Sequence, residues 1–341
     1  SSSVTSIMLL VILALIPGLV FYVHYFGVGV LLNLVAASIT AILAEYLVLK
    51  IRKLPPKVYL YDGSALVAAW LLALSIPSIA PWWIIVVGTL FTIVIAKHFY
   101  GGLGSNIFNP AMIGYAVLLI SFPALMTKWP SPIENSLSLE SIGQAFQIFF
   151  YGLEVVGDGL TSATPLDYVK TELLQGQILP DISIASISTS TNLTSTQIVS
   201  LAYLLGGVGL LYKKIISWHL PVTYLLSLAF ISGFFHFVDP DNFSSVTFHL
   251  LNGGTILCAF FILTDPVSGP TTPKGKLWFA FMVAILVYVI RVFGGYPEGI
   301  AFAVIFMNIC VPLIDNLTQP KVFITNYQFL DIILLEHLQQ S

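Results

Sequence analysis

Long runs of apolar residues, interrupted by short polar or glycine- and proline-bearing segments, dominate this chain from its first positions to about residue 318. A hydrocarbon core about 30 Å thick takes roughly 20 apolar residues of helix to cross. On that measure spans are predicted near 7–25, 28–49, 63–79, 82–97, 110–127, 198–212, 217–238, 247–264, 277–292 and 300–316. The expectation is an all-α integral membrane protein of about ten transmembrane helices. One long polar interval, 128–197, separates two groups of five, and a tail, 319–341, follows the second.

The two groups resemble each other in sequence. FGVGVLL (26–32) recurs as GGVGLL (206–211), DGSALVAAWLLALSIP (62–77) as NGGTILCAFFILTDP (252–266), and FYGGLG (99–104) as FGGYPEG (293–299). Five is an odd number, so the second group must insert upside down relative to the first. This is the inverted-repeat logic of many transport folds. The chain therefore divides into a five-helix repeat (1–127), an extracytoplasmic loop (128–197), a second five-helix repeat (198–318) and a cytoplasmic tail.

Composition fits this picture and narrows the function classes. Apolar residues make up 57%, charged residues 9%, and mean hydropathy is +0.94. A soluble domain could not hide so much apolar surface. The net charge of -3 gives no reason to expect nucleic-acid binding, and Cys258 and Cys310 stand alone inside apolar runs, where they read as packing residues. With the N-terminus inside, ten of the thirteen lysines and arginines fall on the cytoplasmic side; only Lys128, Lys170 and Arg291 fall outside. Both termini are then cytoplasmic and 128–197 lies outside.

Inside that outer loop, DGLTSATPLD (158–167) matches the pattern Asp-x-x-(Ser/Thr)-x-Ala-Thr, which looks like a flavin attachment site. Asp158, Thr161, Ser162 and Ala163 supply the pattern, and Thr164 is the acceptor to which FMN would be esterified through its phosphate. A plainer reading coexists with it. Thr164-Pro165-Leu166-Asp167 is an N-cap threonine, a proline at the first helical position and an acidic residue at N3, opening a helix over PLDYVKTELL. The helix amides would favour a phosphate there, while Asp167 would oppose it.

KHFYGGLGSNIFNPAMIGYAVLLISFP (97–123), HLLNGGTILCAFFILTDPVSGPTTPKGK (249–276) and RVFGGYPEGIAFAVIFMNICVPLID (291–315) extend the match. With the flavin motif they resemble the RnfD family, the D-type membrane component of the bacterial Rnf electron-transport complex, and the resemblance covers nearly the whole chain. It implies a multi-pass protein of the bacterial inner membrane that relays electrons through FMN bound covalently to Thr164, held on the periplasmic side. It also implies a second, non-covalent flavin, riboflavin, near Gly101, Gly102, Asn106 and Asn109. The partners implied are the other Rnf proteins, including a second covalent-flavin component and iron–sulfur components that handle ferredoxin and NAD, together with membrane lipid and the flavin transferase. Without the resemblance, GGLGSNIFNP is evenly balanced between a cofactor-facing segment and a tight loop with a helix cap. Two alternatives stay open. One is the homologous NqrB component of the sodium-pumping NADH:quinone oxidoreductase, whose N-terminal extension is not seen here; the other is a cofactor-free solute channel or carrier.

No catalytic base, nucleophile or metal-ligand spacing is evident, and none is needed if the flavin does the chemistry. The ionisable residues near spans receive plain roles. Glu45 is expected to pair with Lys50 or Arg52; Asp62, Asp265 and Asp315 to face interfacial water; Arg291 to reach the headgroups. The histidines His24, His98, His219, His236 and His249 are taken as interfacial or hydrogen-bonded. Residues 137–151 carry a one-sided apolar pattern that suits a helix lying on the outer leaflet, and 183–196 reads as an exposed Ser/Thr-rich loop.

Overall fold

The computed structural model describes residues 4–182 and 193–319. Helices account for almost all regular structure. In chain order they are α1 (Val4–Phe26), α2 (Gly29–Ile51), α3 (Pro56–Leu60), α4 (Ser64–Ser75), α5 (Trp82–Leu90, continuing π-helically as Phe91–His98), α6 (Pro110–Ser121), α7 (Pro123–Met126), α8 (Leu139–Tyr151) and α9 (Pro165–Leu174). The remainder are α10 (Ser195–Tyr212), α11 (His219–Val238), α12 (Val246–Leu251), α13 (Thr255–Leu257, continuing π-helically as Cys258–Ile262), α14 (Pro273–Phe293) and α15 (Ile300–Thr318). A two-residue antiparallel ladder joins β1 (Trp129–Pro130) to β2 (Thr161–Ser162).

Among the described residues six helices, α1, α2, α10, α11, α14 and α15, are long and apolar enough to cross a membrane, and α4, α5 with its π-helical continuation, and α6 are shorter apolar helices. The chain is a multi-pass, all-α membrane protein. The run 247–264 is not one helix. It breaks at Asn252–Gly254 between α12 and α13, where the Asn252 side chain returns to the Phe248 carbonyl at 3.0 Å and Gly253 takes a left-handed φ of +67°. The run 110–127 ends early as well: Phe122 leaves helical geometry before the single turn of α7. Broken backbone at membrane depth persists only where protein or a cavity satisfies it.

Helix α1 packs along α10, α2 against α4 and α5, α11 against α14, and α6 against α15. The α1–α10 contact is close because its residues are small where the helices meet. A Cβ at Gly206 would run into the Ala14 carbonyl, and one at Gly18 would enter the Tyr203 ring. The core follows these seams, with Leu15, Ala37, Ala41, Leu72, Tyr224, Val283 and Tyr288 all essentially inaccessible. By contrast Leu13, Val35, Leu205, Leu226 and Phe230 stand exposed on the outer surface, as lipid-facing residues do. The similarity of 26–32 to 206–211 does not mark equivalent places, because the first segment is the α1–α2 turn and the second lies inside α10.

Candidate functional site

The flavin-like motif is built from three local devices. Asp158–Leu160 forms a 3₁₀ turn, Thr161 and Ser162 pair with Pro130 and Trp129, and Thr164 caps α9. Thr164 is extended at φ -64°, ψ 156°, as a residue before proline prefers, and its Oγ1 accepts the Asp167 amide at 3.2 Å. The expected helix PLDYVKTELL is formed over Pro165–Leu174. Neither the β1–β2 ladder nor the Ser131 amide bond to the Leu160 carbonyl at 2.9 Å has a signature in the residues alone.

Ser162, Ala163, Thr164 and Asp167 line the mouth of a cavity of about 210 Å³ that runs between α1, α4, α6, α10 and α15. Its walls are mainly apolar and aromatic, with Tyr22, Tyr115 and Tyr203 among them. The charged groups in the lining are Asp167 and Glu298. An aromatic ring system carried on Thr164 would meet aromatic and aliphatic side chains inside and the first-turn amides of α9 beside Thr164. The residues present therefore fit a flavin, with Asp167 an opposing charge on the helix that Thr164 caps.

Glu298 is held on all sides. Arg291 donates to it twice, Nε to Oε1 at 3.0 Å and Nη2 to Oε2 at 2.7 Å, and the amides of Gly254 and Gly299 add bonds of 3.0 Å each. Arg291 also donates to Thr255 Oγ1 at 2.8 Å and to the His249 carbonyl at 2.9 Å. Its side chain is 1% exposed, so it does not reach the headgroups as expected. A short, bidentate carboxylate partner nearby makes burial less costly than snorkelling. Sequence reasoning misses this pair because Glu298 sits in a Gly/Pro-rich loop that looks like a turn. The usable signal is an arginine ending an apolar run seven residues before an acid.

Lys170 on α9 turns back toward the same loop. Its Nζ donates to the carbonyls of Arg291 and Tyr296 at 3.0 Å each, to Gly294, and more distantly to Ile290 at 3.5 Å. Partial burial lowers its pKa from the ordinary lysine value, and Asp167 opposes that shift.

The glycine–asparagine segment stands apart from this cavity. Gly101, Gly102 and Gly104 all take positive φ, and Gly102 faces His98 and Arg52, the latter donating to the Gly101 carbonyl at 3.0 Å. Asn106 donates to the Phe108 carbonyl at 3.1 Å and also bonds Asp265. Asn109 caps α6 through Met112 and reaches the Ile262 carbonyl at 3.1 Å. Beside this segment lies a second buried charge group. Lys97 pairs with Glu45 and donates to Ser64 Oγ at 2.7 Å, while His98 Nε2 lies 3.1 Å from the same carboxylate.

Glu45 therefore pairs neither with Lys50 nor with Arg52. The π-helical continuation of α5 turns Lys97 and His98 inward onto α2, a placement that a regular 3.6-residue period does not anticipate. Nor are the three aspartates simply water-facing. Asp62 caps Ser64, Asp265 accepts from Val267 and Ser268, and Asp315 accepts the Thr271 amide at 3.0 Å. His249 is buried with neither ring nitrogen bonded, and His236 Nδ1 lies 2.6 Å from the Phe243 carbonyl. Most of 183–196 and all of the tail after Gln319 lie outside the described residues; Thr194, within them, forms a capping box at the start of α10.

A family model described as the NQR2, RnfD, RnfE family matches residues 1–324. The chain is 48% identical over 335 residues to the D component of the ion-translocating oxidoreductase complex of Yersinia pseudotuberculosis, covering 94% of each chain. It is 47% identical over 331 residues to the protein of the same description in Aliivibrio salmonicida, again at 94% of each, and 47% identical over 328 residues to that of Escherichia coli, at 93% of each. With a family model spanning all the described residues and relatives matched almost end to end, the chain belongs to the NQR2, RnfD, RnfE family and is similar along its length to the D components of ion-translocating oxidoreductase complexes.

Proposed function

We propose that this chain is the flavin-carrying membrane component of an Rnf-type ion-translocating complex, relaying electrons between its partner proteins through FMN esterified to Thr164. The observation that carries the reading is the position of Thr164: its hydroxyl caps a helix at the mouth of a largely apolar cavity whose walls come from both halves of the chain. When bound, the flavin supplies one- or two-electron chemistry. Tyr22, Tyr115 and Tyr203 would line the space for the ring, and Arg291 neutralises the acid in the wall. The first-turn amides of α9 favour the phosphate by the helix-terminus field.

On this reading the membrane is crossed ten times, by the six long helices, by α4, α5 and α6, and by the broken α12–α13 segment. The two halves are inverted copies, a layout supported by the pairing of α1 with α10 and of α6 with α15. It is supported too by a recurrent pairing in which a basic residue closing one helix of each half meets a hydroxyl opening another: Lys97 with Ser64, Arg291 with Thr255. Riboflavin belongs near Gly101, Gly102, Asn106 and Asn109, at the start of α6. The twelve residues of that helix, about 18 Å of rise, lead from there toward the FMN cavity. The chain sits in the bacterial inner membrane with the Thr164 segment outside, among the Rnf partners and after maturation by a flavin transferase.

The test is mass spectrometry of the peptide containing residues 158–170 from chain produced with a flavin transferase. FMN on Thr164 is expected, and Thr164→Val should abolish polypeptide-bound flavin while costing only about 1 kcal/mol for the lost cap. An unmodified Thr164 in the unsubstituted chain would sink the reading and favour a cofactor-free transporter.

A further inference from the structure

We propose that Lys170 is a positioning residue for the flavin: its ammonium latches α9 to the 291–296 turn and so fixes where the Thr164 attachment point sits relative to the cavity. The inference rests on the reading of Thr164 as the FMN acceptor, and goes beyond it to a residue outside the attachment motif.

An ammonium has three N–H donors. Here Lys170 faces the carbonyls of Arg291, Gly294 and Tyr296, with Ile290 farther off, so every donor has an acceptor at the carboxyl end of α14. A cation at that end also meets the negative pole of the helix. Lys170 lies six residues after Thr164 on a short helix, and Leu166 of the same helix presses toward Gly253, where a Cβ would meet Leu166, Glu298 and Arg291. Three pieces of chain therefore converge: α9 bearing Thr164, the α12–α13 break at Gly253–Gly254, and the α14–α15 turn bearing Glu298. The last two are already tied by the Glu298–Gly254 bond. Lys170 ties the first to the third. Without it, the tether would keep its covalent site but lose its fixed angle of entry.

The experiment compares the full-length chain with Lys170→Met, Lys170→Arg and, as a charge-loss control in the same extracytoplasmic segment, Lys128→Met, all produced with the flavin transferase. Mass spectrometry establishes FMN on Thr164 in each, which separates failure of the latch from failure of the attachment reading. For Lys170→Met the expected result is an unchanged FMN content, a clear fall in flavin fluorescence anisotropy and at least a twofold rise in quenching by iodide. Lys170→Arg, which keeps charge and donors, should retain most of the unsubstituted behaviour, and Lys128→Met all of it. Equal anisotropy and quenching in Lys170→Met and the unsubstituted chain would overturn the proposal. Should Lys170→Met fail to accumulate, Lys170→Gln carries the same comparison.

Discussion

The backbone amide of Asn109 donates to the side-chain carbonyl of Asn308 at 3.0 Å, across 199 residues of sequence. Asn308 in turn donates to the Ser268 carbonyl at 2.9 Å, and Asn109 to that of Ile262 at 3.1 Å. Both asparagines are buried, so the first half and the second are joined by a small polar bridge inside an apolar surround. A buried group stripped of its partner costs about 1–3 kcal/mol. Asn308→Leu should therefore lower the unfolding midpoint in detergent, and Asn109→Ala should do so by a similar amount through its cap and its bond to Ile262. Asn308 accepts from the backbone amide of residue 109, which alanine keeps, so the two side chains share no bond and the double variant should lose about the sum; a loss well short of the sum would mean that the two sites are coupled.

Arg291 and Glu298 should show the asymmetry of a buried ion pair. Removing one partner typically costs about 3–5 kcal/mol, because the other is left as an unpaired charge, whereas replacing both by apolar residues is far milder. Glu298→Met and Arg291→Met should each accumulate poorly or melt early, and the double variant should recover part of the loss. A double variant as unstable as the worse single one would contradict the pairing as the source of the effect.

The orientation rests on the distribution of lysine and arginine. A reporter fused after Asp181 should register outside, and fusions after Lys57 or Lys274 inside. A cytoplasmic signal at Asp181 would reverse the assigned side of the Thr164 segment.

At the glycine segment, Gly102→Leu should lower non-covalent flavin content while covalent FMN stays in place. Gly102 has φ +105° and a Cβ there would lie 3.7 Å from His98 Nδ1 and 3.8 Å from Arg52. Gly104 supplies the control, since it too is left-handed, at φ +89°, but its Cβ would meet nothing within 4 Å. Gly104→Leu thus carries backbone strain without filling the space beside His98. Equal flavin loss in both variants would point to strain alone, and no loss in either would return the segment to a simple turn.

Much of the helical framework is legible in the residues themselves. The apolar runs locate the long helices, and Thr164-Pro165 announces α9 at the residue where it begins, because a cap followed by proline is a local signal. The charged pairs are not legible in this way. Glu45 finds Lys97 and Arg291 finds Glu298 through tertiary geometry, a π-helical register change in one case and a loop folding back on a helix end in the other. Sequence proximity favours Lys50 and Arg52 for Glu45, and the usual behaviour of a span-end arginine favours the headgroups for Arg291. The cavity is invisible for the same reason: its walls are gathered from eight separate helices, and no single stretch encodes it.

The meeting of α1 and α10 leaves no space for even a methyl group at Gly206, against the Ala14 carbonyl, or at Gly18, against the Tyr203 ring. A carrier that works by alternating access rocks one half over the other, and such a seam would have to slide or part. Sliding by a single residue moves a helix about 1.5 Å, which would bring side chains opposite positions that accept only hydrogen. The seam between α1 and α10 thus resists sliding. On the proposed reading, a flavin relay would then run through a fixed frame, where a carrier would need that frame to part.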